Sequence, residues 1–234
     1  MEKPINIIQK PLTIWLASSN MNKKNELAAI LAFHGCQCKI LTPSSAGLNF
    51  DPDETEKTFA GNALLKAKTL YSMLEQNRPA LYICGDPIIA DDSGICVDSL
   101  KGRPGILSAR YTGSQEHQKQ MNASETESGS QKLSARDRNI LLLEELGDKQ
   151  NRNARFVCAM VLLFTPYRFY MVQETCEGEI VKNIRSSKGK GGFGYDPVFF
   201  IPEQGKTMAQ LSDDEKNKIS HRGKAGKIIA RMLL

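Results

Sequence analysis

Leu12-Thr13-Ile14-Trp15-Leu16-Ala17-Ser18-Ser19-Asn20-Met21-Asn22-Lys23 is the stretch on which the fold turns. Leu12 to Ala17 is an unbroken apolar run of strand length. Ser18-Ser19-Asn20 are residues that cap helix N-termini, and a helical stretch follows to about Phe33. Cys36 to Leu41 then reads as a second strand. A strand, a helix and a strand in succession announce an α/β architecture.

The same alternation continues outward. Thr42 to Thr58 is rich in Pro, Ser, Gly and acid, and is expected to be a loop. From Thr58 to about Gln76, Phe59, Ala63, Leu64, Ala67, Leu70, Tyr71 and Leu74 recur at spacings of three and four, one apolar helical stripe. Leu81 to Cys84 and Ile88 to Ala90 read as short strands, the second ending at Asp91-Asp92-Ser93-Gly94. Residues 114–132 are polar and read as a mobile surface loop. A helix is expected from Ser134 to Leu146. A strand pair follows over Phe156 to Phe164 and Phe169 to Thr175. Ser186 to Gly194 is Gly-rich, Val198 to Ile201 is a short strand, and a final helix starts near Ser220. No internal repeat or linker divides the chain, so residues 1–234 are expected to form one domain.

The formal net charge is +5, from 31 Lys and Arg against 26 Asp and Glu. That excess fits a polyanionic small ligand and equally a weak affinity for nucleic acid. The six cysteines form no C-x-x-C pair and no zinc spacing, as expected of free thiols in a reducing cytoplasm. No secretion signal is visible, and no run approaches the ~18 apolar residues of a membrane span.

Four constellations carry chemistry. Ser18, Ser19, Asn20 and Lys23 lie where a strand enters a helix N-terminus, whose unpaired N–H groups and dipole attract phosphate. Taken alone, the same residues fit simple helix capping. The acids Asp53, Glu54, Asp91 and Asp92 suit Mg²⁺, which takes carboxylate oxygens plus substrate phosphate and water. The alternative is that Asp91-Asp92 opens a turn with Ser93-Gly94. Gly189 to Gly194 spells G-x-G-x-x-G but leads into Tyr195-Asp196-Pro197 and a strand. A dinucleotide fingerprint opens a helix. A flexible loop carrying Phe193 and Tyr195 suits stacking on a base instead. Lys216 to Lys224 sits where the last helix is expected to begin. There His221 and Arg222 can donate hydrogen bonds to a base carbonyl.

In this order the motifs resemble the inosine/xanthosine triphosphate pyrophosphatase family. They are Ala17-Ser18-Ser19-Asn20-x-x-Lys23, Glu54-Thr55-x-x-Thr58-Phe59-x-x-Asn62-Ala63-x-x-Lys66-Ala67, Ala90-Asp91-Asp92-Ser93-Gly94, Gly102-x-Pro104-Gly105-x-x-Ser108-Ala109-Arg110-Tyr111, Gly191-Gly192-Phe193-Gly194-Tyr195-Asp196-Pro197-x-Phe199 and Lys216-x-x-Ile219-Ser220-His221-Arg222-Gly223. Ser19, Asn22 and Glu56 stand where that family often has glycine.

The resemblance implies an elongated, two-lobed α/β fold with a long central mixed sheet flanked by helices. It implies an active site in the cleft between the lobes, and a homodimer. The implied reaction is Mg²⁺-dependent hydrolysis of ITP, dITP and XTP to a monophosphate and pyrophosphate, a house-cleaning of deaminated purine nucleotides. Glu54 and Asp92 would hold the metal, with Asp92 also the general base. Ser18, Ser19, Asn20, Lys23, Lys66, Ser93 and Lys216 would contact phosphate. Phe193, Gly194, Tyr195, Asp196, His221 and Arg222 would bind the base. A same-fold enzyme for pyrimidine or modified nucleotides and a non-enzymatic nucleic-acid binder are the rival readings. The second gives no reason for Glu54 and Asp92 to share a cleft, because carboxylates repel phosphate unless a metal intervenes.

Overall fold

The computed structural model describes residues 12–113, 133–184 and 192–234. The loop expected at 114–132 and the first glycines of the 186–194 stretch lie outside these residues.

β1 (Leu12–Leu16), α1 (Met21–Phe33) and β2 (Cys38–Leu41) form the expected strand–helix–strand unit, with β1 and β2 parallel. α2 (Phe59–Asn77) starts at Thr58, whose side chain accepts from the Gly61 amide. Its apolar stripe buries Phe59, Ala63, Ala67, Leu70 and Leu74. Complete burial of a leucine such as Leu70 or Leu74 contributes about 2 kcal/mol. β3 (Ile88–Val97), α3 (Ala135–Leu146), β4 (Asn153–Thr165) and β5 (Arg168–Ile180) follow. The chain ends with β6 (Phe199–Ile201), β7 (Lys206–Thr207), α4 (Asp213–Ile219) and α5 (His221–Leu233).

All seven strands join one mixed sheet, ordered β2-β1-β3-β4-β5-β6-β7. β1 lies parallel to β3, and the pairings from β3 to β7 are antiparallel. The long β3–β4 ribbon connects two packed regions. At one end Ile88 and Ala90 pack under α2 on one face, and Ile89 packs under α1 and α5 on the other. At the far end Ile95 and Val97 join α3, Phe156 and Phe199 in a separate core. These are the two lobes. Among the described residues no helix is long and apolar enough to cross a membrane.

Two expectations are corrected. Leu81 to Cys84 makes turns, not a strand. β1 is already flanked by β2 and β3, Pro79, Gly85 and Pro87 punctuate the segment, and Leu81 and Ile83 are left exposed. The strand expected over Ile88 to Ala90 does not end at Asp91-Asp92-Ser93-Gly94, and that stretch opens no turn. It is the middle of β3, held by an unbroken antiparallel register from Ile88↔Leu163 to Val97↔Ala154. The final helix expected from Ser220 is present as α5, and a further helix that was not expected, α4, precedes it. Ser212 caps α4 with a reciprocal bond from Glu215, and Ser220 ends α4 and caps α5.

Candidate active site

β1 pairs with β3 only through Trp15↔Ile88 and Leu16↔Ile89. Beyond that point the edge of β3 is free of β1, until the Ser108 hydroxyl accepts from the Ile95 amide and Cys96 bridges Pro104. The interval between, Asp91 to Gly94, opens into a cleft of about 350 Å³ beyond the carboxyl ends of the parallel strands. Crevices at that end are the usual ligand sites of α/β sheets. Gly94 is required here, because a Cβ would lie 2.4 Å from the Gly105 carbonyl oxygen and from Ser108 Oγ.

Strand alternation sends the two neighbouring aspartates to opposite faces. Asp91 turns toward α1 and α5. Its carboxylate lies 3.1 Å from Lys23 Nζ and 3.0 Å from an Arg222 nitrogen. Burial opposes its charge, but Lys23 and Arg222 overcome that and hold its pKa well below the usual carboxylate range. Asp92 turns toward α2. It accepts from Lys66 Nζ at 2.8 Å and from the Asn62 side-chain amide at 3.4 Å. Burial raises its pKa, with Lys66 opposing and Glu54 adding to the rise.

Glu54, from the loop before α2, reaches the same ammonium at 3.0 Å. Its other oxygen accepts from Arg110 at 2.9 Å. Two carboxylates from separate elements thus converge on one cation. Among the described residues no group of three or more His, Cys, Asp or Glu could hold a metal alone. A pair of carboxylates facing a phosphate site is the donor set Mg²⁺ takes when substrate oxygens and water complete its shell. The residues present therefore fit that ion.

At the start of α1, Asn20 Oδ1 caps the Asn22 and Lys23 amides, and Ser18 Oγ accepts from the Asn20 amide. Ser19 donates to the Phe50 carbonyl. Asn20, Asn22 and Lys23 line the cleft beside Glu54, Asp92 and Ser93. Ser18 and Ser19 stand just behind them in the β1–α1 turn.

The other end of the cleft is built from Phe193 to Asp196 and the start of α5. Gly192 has φ +73°, and a Cβ there would meet Asp196 Oδ2 at 2.1 Å. The carboxylate of Asp196 accepts from the Phe193 amide at 2.8 Å, fixing the aromatic residue. Lys216 pairs with Asp196 at 2.9 Å and with Glu26 at 3.0 Å, and its ammonium lies 4.8 Å from the Phe193 ring centre. It is therefore grouped with Phe193, not with the Lys66–Glu54–Asp92 cluster. Tyr195 is buried and donates to the Ser108 carbonyl, and Gly194 accepts from Asn139.

His221 stacks on Phe156 at 4.8 Å, and its Nδ1 is buried without a hydrogen-bond partner. Burial, reinforced by Arg222 and Lys216, holds its pKa well below the usual histidine value, so it is neutral at pH 7. Arg222 is 3% exposed. It donates to Asp91, Ser93 and Glu26, which engages four of its five N–H groups.

Sequence reasoning gave no role to Glu26, Asn62, Arg110 or Arg138. Asn62 carried a signal, since it and Lys66 are polar residues one turn apart on the buried stripe of α2. Arg110 stood in a family motif without a role, and Glu26 carried no signal, because each acts through a partner far away in the chain.

The Ham1 family model matches residues 14–232. The dITP/XTP pyrophosphatase of Treponema denticola is 45% identical over 222 residues, covering 95% of this chain and 98% of its own. The Staphylococcus aureus Ham1 protein superposes with a TM-score of 0.71 at 33% identity, covering 94% of this chain and 97% of its own. A HAM1 protein from Coxiella burnetii gives 0.72 at 30% identity, covering 95% and 98%. A match that runs from β1 to the end of α5, through every element that walls the cleft, makes this chain a member of the Ham1 family.

Proposed function

We propose that the protein is a nucleoside-triphosphate pyrophosphohydrolase that converts ITP, dITP and XTP to the monophosphate and pyrophosphate, clearing deaminated purine nucleotides. The observation that carries this reading is the meeting of Glu54 and Asp92 on Lys66 within a cleft that also holds a helix N-terminus and an aromatic ring.

Each group has a task in the reaction. The N-terminal turn of α1 and Lys23 receive the phosphate chain, where donors and positive charge offset its repulsion of a nucleophile. Glu54 and Asp92 would hold Mg²⁺, which when bound neutralises charge on the phosphates and the departing pyrophosphate. Asp92 orients a water toward the α-phosphorus and takes its proton. The new bond joins that water oxygen to Pα, and the bond from Pα to the oxygen bridging to Pβ breaks. The electron pair leaves on pyrophosphate. Lys66 keeps Asp92 and Glu54 in place and adds positive charge. Ser93 lies beside Asp92 for a phosphate contact.

Phe193 stacks on the base, held by Asp196 and backed by Lys216. Neutral His221, with the remaining Arg222 N–H, supplies donors for the purine 6-oxo group. Adenine offers an amino group there, so those donors would go unpaired. A site built to pair one polar edge discriminates against its opposite by as much as about 10⁴. The working unit in this reading is one domain, paired as a homodimer in the cytoplasm, with no membrane and no specific nucleic acid as partner.

The test is product analysis. Purified protein is incubated with ITP and Mg²⁺, with GTP and ATP in parallel. IMP plus pyrophosphate, with GTP and ATP largely intact, is the expected result. IDP plus phosphate would place the attack on the wrong phosphorus, and binding without turnover would support a non-enzymatic role.

A further inference from the structure

Reading the 6-oxo group separates hypoxanthine and xanthine from adenine but not from guanine, which carries the same oxygen. Guanine differs at the 2-position. It bears an amino donor where xanthine bears an oxo acceptor and hypoxanthine only a hydrogen.

One cation of the cleft has no part in the proposed reaction. Arg138 lies in the first turns of α3 and lines the cleft with Phe193, Gly194 and His221. The cleft's other cations are neutralised: Lys23 by Asp91, Arg222 by Asp91 and Glu26, and Lys66 and Lys216 each by two carboxylates. Among the described residues no carboxylate pairs with Arg138. One terminal nitrogen donates to the Leu133 carbonyl, and its Nε is buried without a partner. A buried donor left unmatched is uncommon and calls for a reason.

Its place in the cleft is the base end. The guanidinium lies beside the Tyr195 phenol, opposing the upward push of burial on that group. The next residue, Asn139, donates to the Gly194 carbonyl at 3.1 Å. The phosphate-receiving groups, Asn20, Lys23, Lys66 and Asp92, belong to other elements and are tied to one another's surroundings by their own hydrogen bonds and ion pairs. The segment from Phe193 to Asp196 has α5 with His221 as one neighbour and α3 with Arg138 as another. A base stacked on Phe193 with its 6-oxo group on His221 has its 2-position on the adjoining edge.

We propose that Arg138 faces that 2-position and sets the choice among 6-oxo purines. Its N–H groups reward the 2-oxo acceptor of xanthine, tolerate the bare carbon of hypoxanthine and oppose the 2-amino donor of guanine. The inference rests on the pyrophosphohydrolase reading above.

The experiment measures kcat/KM for XTP, ITP and GTP in the wild type and in Arg138→Ala. A charged donor lost from one oxygen is worth about 10- to 100-fold. The XTP/ITP ratio should fall by that factor, and the GTP/ITP ratio should rise. Arg138→Met retains the aliphatic stem beside Tyr195, and the same ratios are read in it should the alanine variant fold poorly. Equal losses on all three substrates, with both ratios unchanged, would overturn the proposal and assign Arg138 to phosphate or to the fold. A wild type that splits none of the three would instead overturn the proposed function, and this inference with it.

Discussion

Arg222→Ala should be a stability variant before it is an activity variant. The guanidinium is 3% exposed and sits between two carboxylates, Asp91 and Glu26, with Ser93 as a third acceptor. Truncation leaves those acids buried with less positive charge than they need. Breaking a buried ion pair from one side typically costs 3–5 kcal/mol, roughly. Asp91 keeps Lys23 and Glu26 keeps Lys216, so the low end applies, about 3 kcal/mol. For a chain of this size each kcal/mol shifts Tm by about 2–4 °C, giving a drop of roughly 6–12 °C. Differential scanning calorimetry reads it. Arg222→Lys should recover part of the loss. The double variant Asp91→Asn, Arg222→Met should lose less than the sum of its single changes, because no orphaned charge remains at that position. A Tm within about 2 °C of wild type for Arg222→Ala, or strict additivity in the cycle, would refute the reasoning and free Arg222 to act on the base alone.

Other consequences can be checked in the same preparations. Asp92→Asn should abolish most turnover with IMP and pyrophosphate as the assayed products, while the melting temperature stays near wild type; near-normal turnover would remove Asp92 from the reaction. Activity should vanish with excess EDTA and return with Mg²⁺, and Glu54→Gln should need a higher Mg²⁺ concentration for half-maximal rate. Phe193→Ala should lower kcat/KM for ITP by about 5- to 150-fold, the value of one stacked base, mainly through KM. Glu26 opposes its own burial through Arg222 and Lys216, which leave its pKa below the unfolded value. The unfolded chain therefore binds the extra proton. The stabilisation is present above the unfolded carboxylate pKa near 4.3 and is lost as pH falls through the lower folded value. In Glu26→Gln the decline of Tm below about pH 5 should be shallower.

Much of the fold was legible because it rests on local patterns. The β1–α1 junction, the α2 stripe and the caps at Thr58, Ser134 and Ser220 are each written in a few neighbouring residues. β3 was read as ending where its charges begin, since two acids in a row argue against a buried strand. What permits them is Lys66 on one face and Lys23 with Arg222 on the other, and Arg222 is separated from Asp91 by 131 positions. α4 went unread because its residues, Asp213 to Ile219, are polar up to the last and show no apolar stripe, although Ser212 and Glu215 form a capping box at its start. In the site, motif residues such as Glu54, Asp92 and Phe193 were nameable through the family resemblance, which chose Glu54 over Asp53 and Asp92 over Asp91. Their supports, Arg110 on Glu54 and Asn139 on Gly194, depend on loop and helix placements that no spacing encodes.

The paired aspartates of β3 have one more consequence. To a strand choosing its alignment on β4, Asp91 and Asp92 are interchangeable. A slip of one residue would still put an acid on each face, yet it would carry Asp92 into the ion-pair cage and its neighbour into the cleft. The acids therefore cannot encode which of them is which. That information resides in their flanks, in Ile88, Ile89 and Ala90 sorted between two cores and in Gly94, the residue that fits beneath Gly105 and Ser108. Gly94→Ala, which alters no charged group, would erode the distinction between two chemically identical carboxylates.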